Sequence, residues 1–122
     1  AVATWLDAHP KVAWVSHADL PGHRHHDRAK RYLPRGAGSV FTFGVKGGYE
    51  AAAEVAGSLK LFSLLANIGD TRSLVIHSAS TTHRQLSDEQ RIAAGALPEA
   101  VRLSVGLEDI ADIIADLDQA LR

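Results

Sequence analysis

The 122-residue chain has no cysteine, which excludes disulfide cross-links and thiolate metal sites and points to a reducing, cytoplasmic setting. Methionine is absent too, and the sequence opens directly on a helical apolar pattern of Val2, Trp5 and Leu6, so it reads as a piece cut from something longer. No apolar run approaches the ~18 residues of a membrane-spanning helix, and AVATWLDAHP lacks the basic start and cleavage pattern of a signal peptide. Neither sign of charge is in excess: 13 Lys and Arg against 14 Asp and Glu leave a net charge of -1. There is no basic stripe and no interleaving of basic with aromatic residues, so nothing marks nucleic acid as a partner. What is present suffices for one core. With 46% of residues hydrophobic and 22% charged, a chain of this length buries roughly two thirds of its unfolded surface.

Helical and extended patterns alternate without internal repeats. Residues 1–8 read as a helix and VAWVSH (12–17) as a strand; a helix follows over about 25–33, between Pro21-Gly22 and Pro34. SVFTFGV (39–45) is the clearest strand by its alternation. A long helix is predicted over 49–65, with Ala52, Val55, Leu59 and Phe62 as its apolar stripe. SLVIHS (73–78) reads as a buried strand, SDEQ (87–90) as a capping box and Gly95 as the left-handed stop of the short helix it opens. After a strand within ALPEAVRLSVGLED, a last helix over about 107–121 carries Leu107, Ile110, Ile113, Ile114, Leu117 and Leu121 on one face. Acids at 108, 109 and 112 suit its N-terminal dipole. Four short strands without regular βαβ spacing predict an α+β layer: a mostly antiparallel sheet with helices on one face.

Strand parity assigns side chains to the two faces of that sheet. If Val12, Trp14, Phe41, Phe43, Leu74, Ile76, Val101 and Leu103 face the helices, the other face holds Ala13, Val15, His17, Val40, Thr42, Gly44, Ser73, Val75, His77, Arg102 and Ser104. That second face has no Lys, Asp or Glu, whereas a solvated sheet face normally carries charges, so it looks covered from outside the chain. Arg102 stands in its middle. A guanidinium cannot shed its proton, and no acid shares its strand, so it is either held for an external planar anion or lies as an edge-strand arginine with its head in water. The pattern leaves both open.

Residue motifs supply a further clue. VRLSVGLEDIADIIADLDQAL, preceded by SLKLFSLLANIGDTRSLVIHSASTTHRQLSDEQ, resembles the C-terminal domain of the Cys/Met-metabolism enzymes that depend on pyridoxal phosphate. That family includes cystathionine synthases and lyases, methionine γ-lyase and homoserine-ester sulfhydrylases. YLPRGAGSVFTFGVKGG and ANIGDTRSLVIH are most similar to its O-acetylhomoserine sulfhydrylase branch. The resemblance implies that residues 1–122 are one C-terminal domain of a fold-type I enzyme, and that the N-terminal and large cofactor-binding domains lie outside this sequence. It implies a substrate-binding role for Arg102, which grips the α-carboxylate of an amino-acid substrate. Asn67 adds a contact to that carboxylate through its backbone amide, and Thr82 lines the substrate side of the pocket while Ser80, Thr81 and His83 shape the loop. Ser78 stands where the family usually has proline.

The same resemblance implies pyridoxal 5'-phosphate as the cofactor, bound by the missing large domain. Lys11, Lys30, Lys46 and Lys60 all lie outside the SxTK-type context of the Schiff-base lysine, so no catalytic or cofactor-binding residue is expected in this chain, and alone it is expected to be inactive. The implied partners are the chain's own large domain, the amino-acid substrate and the other subunits of a homotetramer. The function so implied is transfer from O-acetylhomoserine to sulfide, giving homocysteine and acetate in methionine biosynthesis. The same domain could instead belong to a cystathionine γ-synthase, γ-lyase or methionine γ-lyase, or be an autonomous amino-acid-binding module.

Other motifs carry less. In HRHHD (23–27), His23 and His26 have helical ligand spacing only if the helix starts that early, and Pro21-Gly22 opposes this, so no metal is expected. His77 reads as a packed strand histidine, and the glycines of RGAGSVFTFGVKGG do not form GxGxxG.

Overall fold

The structure, a computed structural model, describes residues 1–122. In chain order the elements are α1 (Val2–Asp7), β1 (Val12–Ser16), α2 (His26–Tyr32), β2 (Val40–Val45), α3 (Gly48–Ser58), β3 (Ser63–Leu64), β4 (Leu74–His77), α4 (Asp88–Ala93), β5 (Ala100–Ser104) and α5 (Ile110–Ala120). The strands form one sheet in the order β1-β2-β5-β4-β3, antiparallel except for the β3–β4 pair. The α+β layer expected from the sequence is thus present, with five strands rather than four.

Where the fifth strand comes from is instructive. The apolar stripe of Ala52, Val55, Leu59 and Phe62 predicts helix to residue 65, but α3 ends at Ser58 and Leu59 is extended. Helix α5 causes this. The Asp116 carboxylate accepts hydrogen bonds from the backbone amides of Lys60 (2.9 and 3.0 Å) and Leu61 (2.8 Å), and Gln119 Nε2 donates to the Ser58 carbonyl at 2.8 Å. Tertiary acceptors override helix propensity, and the chain turns into β3. Leu59 and Phe62 still reach the core, from the turn instead of from a helix face.

Helix α5 is also shorter than expected at its start. Asp109 caps it, accepting from the Ala111 amide at 2.8 Å. Leu107 lies outside the helix with 83% of its surface exposed, so it does not join the apolar stripe. Ile113, Leu117 and Leu121 do, all buried. The other local predictions hold: Ser87 and Gln90 form the capping box of α4, and Gly95 ends the turn beyond it at φ 76°.

Pairing register corrects two of the four strand faces. Phe41 and Phe43 stand opposite Leu103 and Val101, and Thr42 opposite Arg102, as parity predicts. In β4, however, Val75 pairs with Leu103, Ile76 with Arg102 and His77 with Val101. Val75 and His77 therefore point to the core, while Leu74 and Ile76 share the face of Arg102. An unbroken run such as LVIH has no alternation to set parity. In β1 the register shifts between Val12 and Trp14, a bulge at Ala13 that reverses everything after it: Val15 pairs with Phe43 and Trp14 with Gly44. The Trp14 indole covers Gly44 so closely that a Cβ there would fall inside the ring, and its Nε1 donates to Glu99 Oε1 at 3.3 Å. His17, just past β1, packs edge-on against the core residue Phe41 with centroids 5.2 Å apart.

The core fills the other face. Val12, Phe41, Phe43, Val45, Val75, Val101 and Leu103 pack with Val2 and Leu6 of α1, Ala52 and Val55 of α3, and Ile113 and Leu117 of α5. Removing the Asp116 carboxylate would leave the Lys60 and Leu61 amides without acceptors, each worth about 1–3 kcal/mol. Asp116→Ala is therefore expected to destabilise the domain by about 2–4 kcal/mol, measured as a lower urea midpoint at unchanged m-value.

Candidate functional site

Arg102 is the central residue of β5, itself the central strand, and its side chain leaves the sheet on the face away from α1, α3 and α5. With the corrected parities, the strand positions of that face are Trp14, Ser16, Val40, Thr42, Gly44, Ser63, Leu74, Ile76, Ala100, Arg102 and Ser104. None is Lys, Asp or Glu. Part of the cover comes from the chain itself, contrary to the expectation of a wholly external one. The connection between β4 and β5 folds over the sheet, so that Ser78, His83, Ala94, Gly95 and Ala96 line a cleft with Thr42, Ala100 and Arg102. At about 180 Å³ it is smaller than the ~300–1,000 Å³ of a complete small-molecule site.

Inside this setting Arg102 has no ionic partner. Its single hydrogen bond runs from Nη2 to the backbone carbonyl of Asn67, at 3.3 Å. Elsewhere Arg72 is paired with Asp70, Arg91 with Asp88 and Arg122 with Asp118, at 3.0, 2.8 and 2.8 Å. One neutral acceptor leaves most of the donors of the Arg102 fork available.

The three residues named from the sequence are placed as follows. Arg102 and Asn67 are brought together, and with Ala66 and Ile68 they form a second, open recess beside the guanidinium. The Asn67 side-chain oxygen accepts from the Ile68 amide at 2.8 Å. The Asn67 backbone amide donates to no group of the chain. Thr82 is exposed, its hydroxyl 2.8 Å from His83 Nδ1, and it is His83 that lines the cleft with Arg102. Thr42 and Gly95 were not singled out beforehand. Thr42 was legible as the cross-strand neighbour of Arg102 once register was known; Gly95 carried only a turn signal.

A brace fixes Arg102 at the far end of its strand. The Glu108 carboxylate accepts from the Ser73 amide (2.7 Å) and hydroxyl (2.8 Å), and Ser73 Oγ in turn accepts from the Gly106 amide at 2.9 Å. Gly106 passes so near the Thr71–Arg72 backbone that any Cβ would overlap it. This explains the run SVGLED: Gly106 permits the close approach, and Glu108, expected to serve the helix dipole, instead ties the end of β5 to the start of β4. Next to it, two hydrogen bonds from the Arg72 guanidinium to Asp70 stiffen the turn after Asn67.

Other candidates do not converge. Helix α2 begins only at His26; His23 Nδ1 accepts from the His25 amide at 3.2 Å, and His26 Nδ1 donates to the Ala18 carbonyl at 3.1 Å. A roomier recess of about 360 Å³ lies between the start of α1 and Gly38–Ser39, but its wall carries Asp19, which repels an anion.

No lysine reaches the Arg102 cleft. Lys11 Nζ donates to the Arg122 carbonyl and Lys46 Nζ to the Pro10 carbonyl, while Lys30 lies in α2 and Lys60 on the turn after α3. The groups present do not fit a covalently anchored aldehyde cofactor.

Fold and site together define an α+β domain with an arginine, free of any ionic partner, in a cleft on the non-helical face of its sheet. The profile of the Cys/Met-metabolism PLP-dependent enzymes matches residues 1–122, and the chain belongs to that family. Over 120 residues it is 58% identical to O-acetyl-L-homoserine sulfhydrylase 1 of Thermus thermophilus, covering 98% of this chain and 28% of that protein. Over 121 residues it is 51% identical to the homocysteine synthase of Schizosaccharomyces pombe, again covering 28% of the relative. The crystal structure of a putative O-acetylhomoserine (thiol)-lyase from Campylobacter jejuni, which contains N'-pyridoxyl-lysine-5'-monophosphate, superposes with a TM-score of 0.89 at 42% identity, over 98% of this chain and 28% of that one. The chain thus spans little more than a quarter of the relatives it matches.

The brace titrates. Burial alone would push the Glu108 carboxyl up, but the hydrogen bonds from the Ser73 amide, its own amide and the Ser73 hydroxyl outweigh this and hold it below the usual range. The hydrogen bonds from Arg72 pull Asp70 down to about 2. Both are lowered in the folded state, so their contribution is complete above the unfolded carboxylate values of about 4 and is lost as pH falls toward 2. Urea midpoints should fall across that window, and fall less in the Asp70→Asn/Glu108→Gln double variant.

Proposed function

We propose that this chain is the C-terminal, carboxylate-binding domain of a pyridoxal-phosphate-dependent O-acetylhomoserine sulfhydrylase, which converts O-acetylhomoserine and sulfide into homocysteine and acetate. The observation that carries this reading is Arg102: a partly buried guanidinium on a sheet face without acids, held by one carbonyl and lining a cleft. The fork matches a carboxylate in two parallel hydrogen bonds, a match that an ammonium group does not reproduce. The Asn67 backbone amide, unpaired within the chain and belonging to the residue whose carbonyl accepts from Arg102, is a second donor for the same anion. Thr82, on the loop that borders the cleft, lines the substrate side in the assembled enzyme.

Holding the carboxylate restricts rotation of the substrate about Cα, so that the bond to be broken is presented in one orientation, a positioning effect. Pyridoxal phosphate, bound by a large domain outside this chain, would supply the electron sink for the reaction. The domain alone is therefore inactive, and the working enzyme is a cytoplasmic homotetramer for methionine biosynthesis. The sulfhydrylase reading is preferred over a γ-synthase or lyase because the relatives at 58% and 51% identity are named O-acetyl-L-homoserine sulfhydrylase and homocysteine synthase.

Loss of a charge-assisted, bidentate contact costs about 1.5–3 kcal/mol. In the full-length enzyme, Arg102→Ala is thus expected to raise KM for O-acetylhomoserine about 10- to 150-fold while cofactor absorbance is retained. An unchanged KM with lost cofactor would overturn the assignment.

A further inference from the structure

The wall of the cleft opposite the sheet belongs to the connection between β4 and β5, and a single buried ring ties both ends of that connection. His77, the last residue of β4, is 1% exposed and points into the core, edge-on to Tyr49 with centroids 4.9 Å apart. Its Nε2 lies 2.7 Å from the Pro98 carbonyl. A carbonyl only accepts, so Nε2 carries the hydrogen, which in the neutral ring leaves Nδ1 to accept from the Ser80 hydroxyl at 2.9 Å. The His77 carbonyl also accepts from Thr81 Oγ1 at 2.8 Å. One residue thus grips the connection three and four residues after β4 and again two residues before β5.

Between these anchor points the segment is stitched into a unit. Arg91 in α4 donates through Nε to the His83 carbonyl (3.1 Å) and through Nη2 to the Arg84 carbonyl (3.0 Å), joining the Thr82–Arg84 turn to the helix. That unit carries His83 and Gly95, the residues facing Arg102 across the cleft. A stitched unit held at both ends moves as its anchors move, so the imidazole sets how closely the wall stands over the guanidinium.

We infer that His77 is a positioning residue for substrate binding: acting through Ser80 and Pro98, it fixes the width of the Arg102 cleft and thereby the affinity for the amino-acid carboxylate. This rests on Arg102 being the carboxylate ligand. A buried strand histidine with only a packing role would be replaceable by a ring of similar size. Here both ring nitrogens are used, and what they hold is the cleft wall rather than the core.

The test is steady-state kinetics of the full-length enzyme. His77→Phe keeps the ring and the Tyr49 contact but loses both hydrogen bonds. It is expected to raise KM for the amino-acid substrate about 5- to 20-fold, with kcat changed less than about threefold. His77→Gln, which restores a donor toward Pro98, should recover most of the loss. In an Arg102→Ala background, His77→Phe should have almost no further effect on KM. An equal effect in both backgrounds, or a fall in kcat with KM unchanged, would overturn the inference as a general structural defect. If His77→Phe does not fold, Ser80→Ala removes the Nδ1 contact, together with the 3.2 Å contact of the same hydroxyl to the His77 carbonyl, while leaving the Pro98 contact, and should give the same split at about two- to fivefold; an unchanged KM there counts against it. Should Arg102→Ala itself leave KM unaltered, the carboxylate reading fails. Should Arg102→Ala raise KM while His77→Phe and Ser80→Ala do not, only the role of His77 fails.

Discussion

A guanidinium cannot be neutralised by losing its proton, so wherever the fold places one it must be given hydration, an acceptor or an anion. The most central strand of this domain carries Arg102 on a face without a single acidic strand position, and offers it one carbonyl. An internal carboxylate in the same place would compete with any external one. With no acid on this face the cation meets no internal competitor, and acids elsewhere in the domain are occupied: Asp70 by Arg72, Glu108 by Ser73 and Asp116 by the turn after α3.

The two faces of the sheet divide the work accordingly. One is a conventional apolar core that α1, α3 and α5 close, and it holds β5 in register. The other is built from small and neutral groups, with Trp14 lying flat over Gly44 and Thr42 beside Arg102. The Gly106–Ser73–Glu108 chain of hydrogen bonds secures the far end of β5, and the His77–Pro98 contact secures the approach to its near end. Both braces lie just outside the strand, so they fix its ends without adding charge to the face that carries Arg102.

Much of this was legible in the sequence because it depends on local chemistry. The capping box of Ser87 and Gln90, the stop at Gly95 and the alternation of SVFTFGV are each set by residues within a few positions of one another. That Arg102 shares the non-helical face with Thr42 followed from strand parity, whereas their standing opposite each other needed the pairing register. What was not legible required distant partners. Nothing between residues 49 and 65 announces that Asp116, more than fifty positions later, will end α3 and create β3. The bulge at Ala13 and the unbroken LVIH run left the faces of β1 and β4 undetermined until their pairing was known. Glu108 fitted a helix-dipole role equally well on paper, and only the proximity of Ser73 redirects it. The site showed the same split: the cation was visible in the sequence, the wall facing it was not.

Substrate discrimination tests the free-guanidinium claim most directly. In the full-length enzyme, the affinity of an amino-acid substrate analogue is compared with that of its counterpart lacking the α-carboxylate, before and after Arg102→Lys. The intact enzyme should prefer the carboxylate-bearing ligand by about 10- to 150-fold. Most of that preference should vanish with the lysine, which keeps the charge but not the fork. Equal discrimination by both proteins would mean that the carboxylate is read elsewhere, and that Arg102 is only a solvated strand residue.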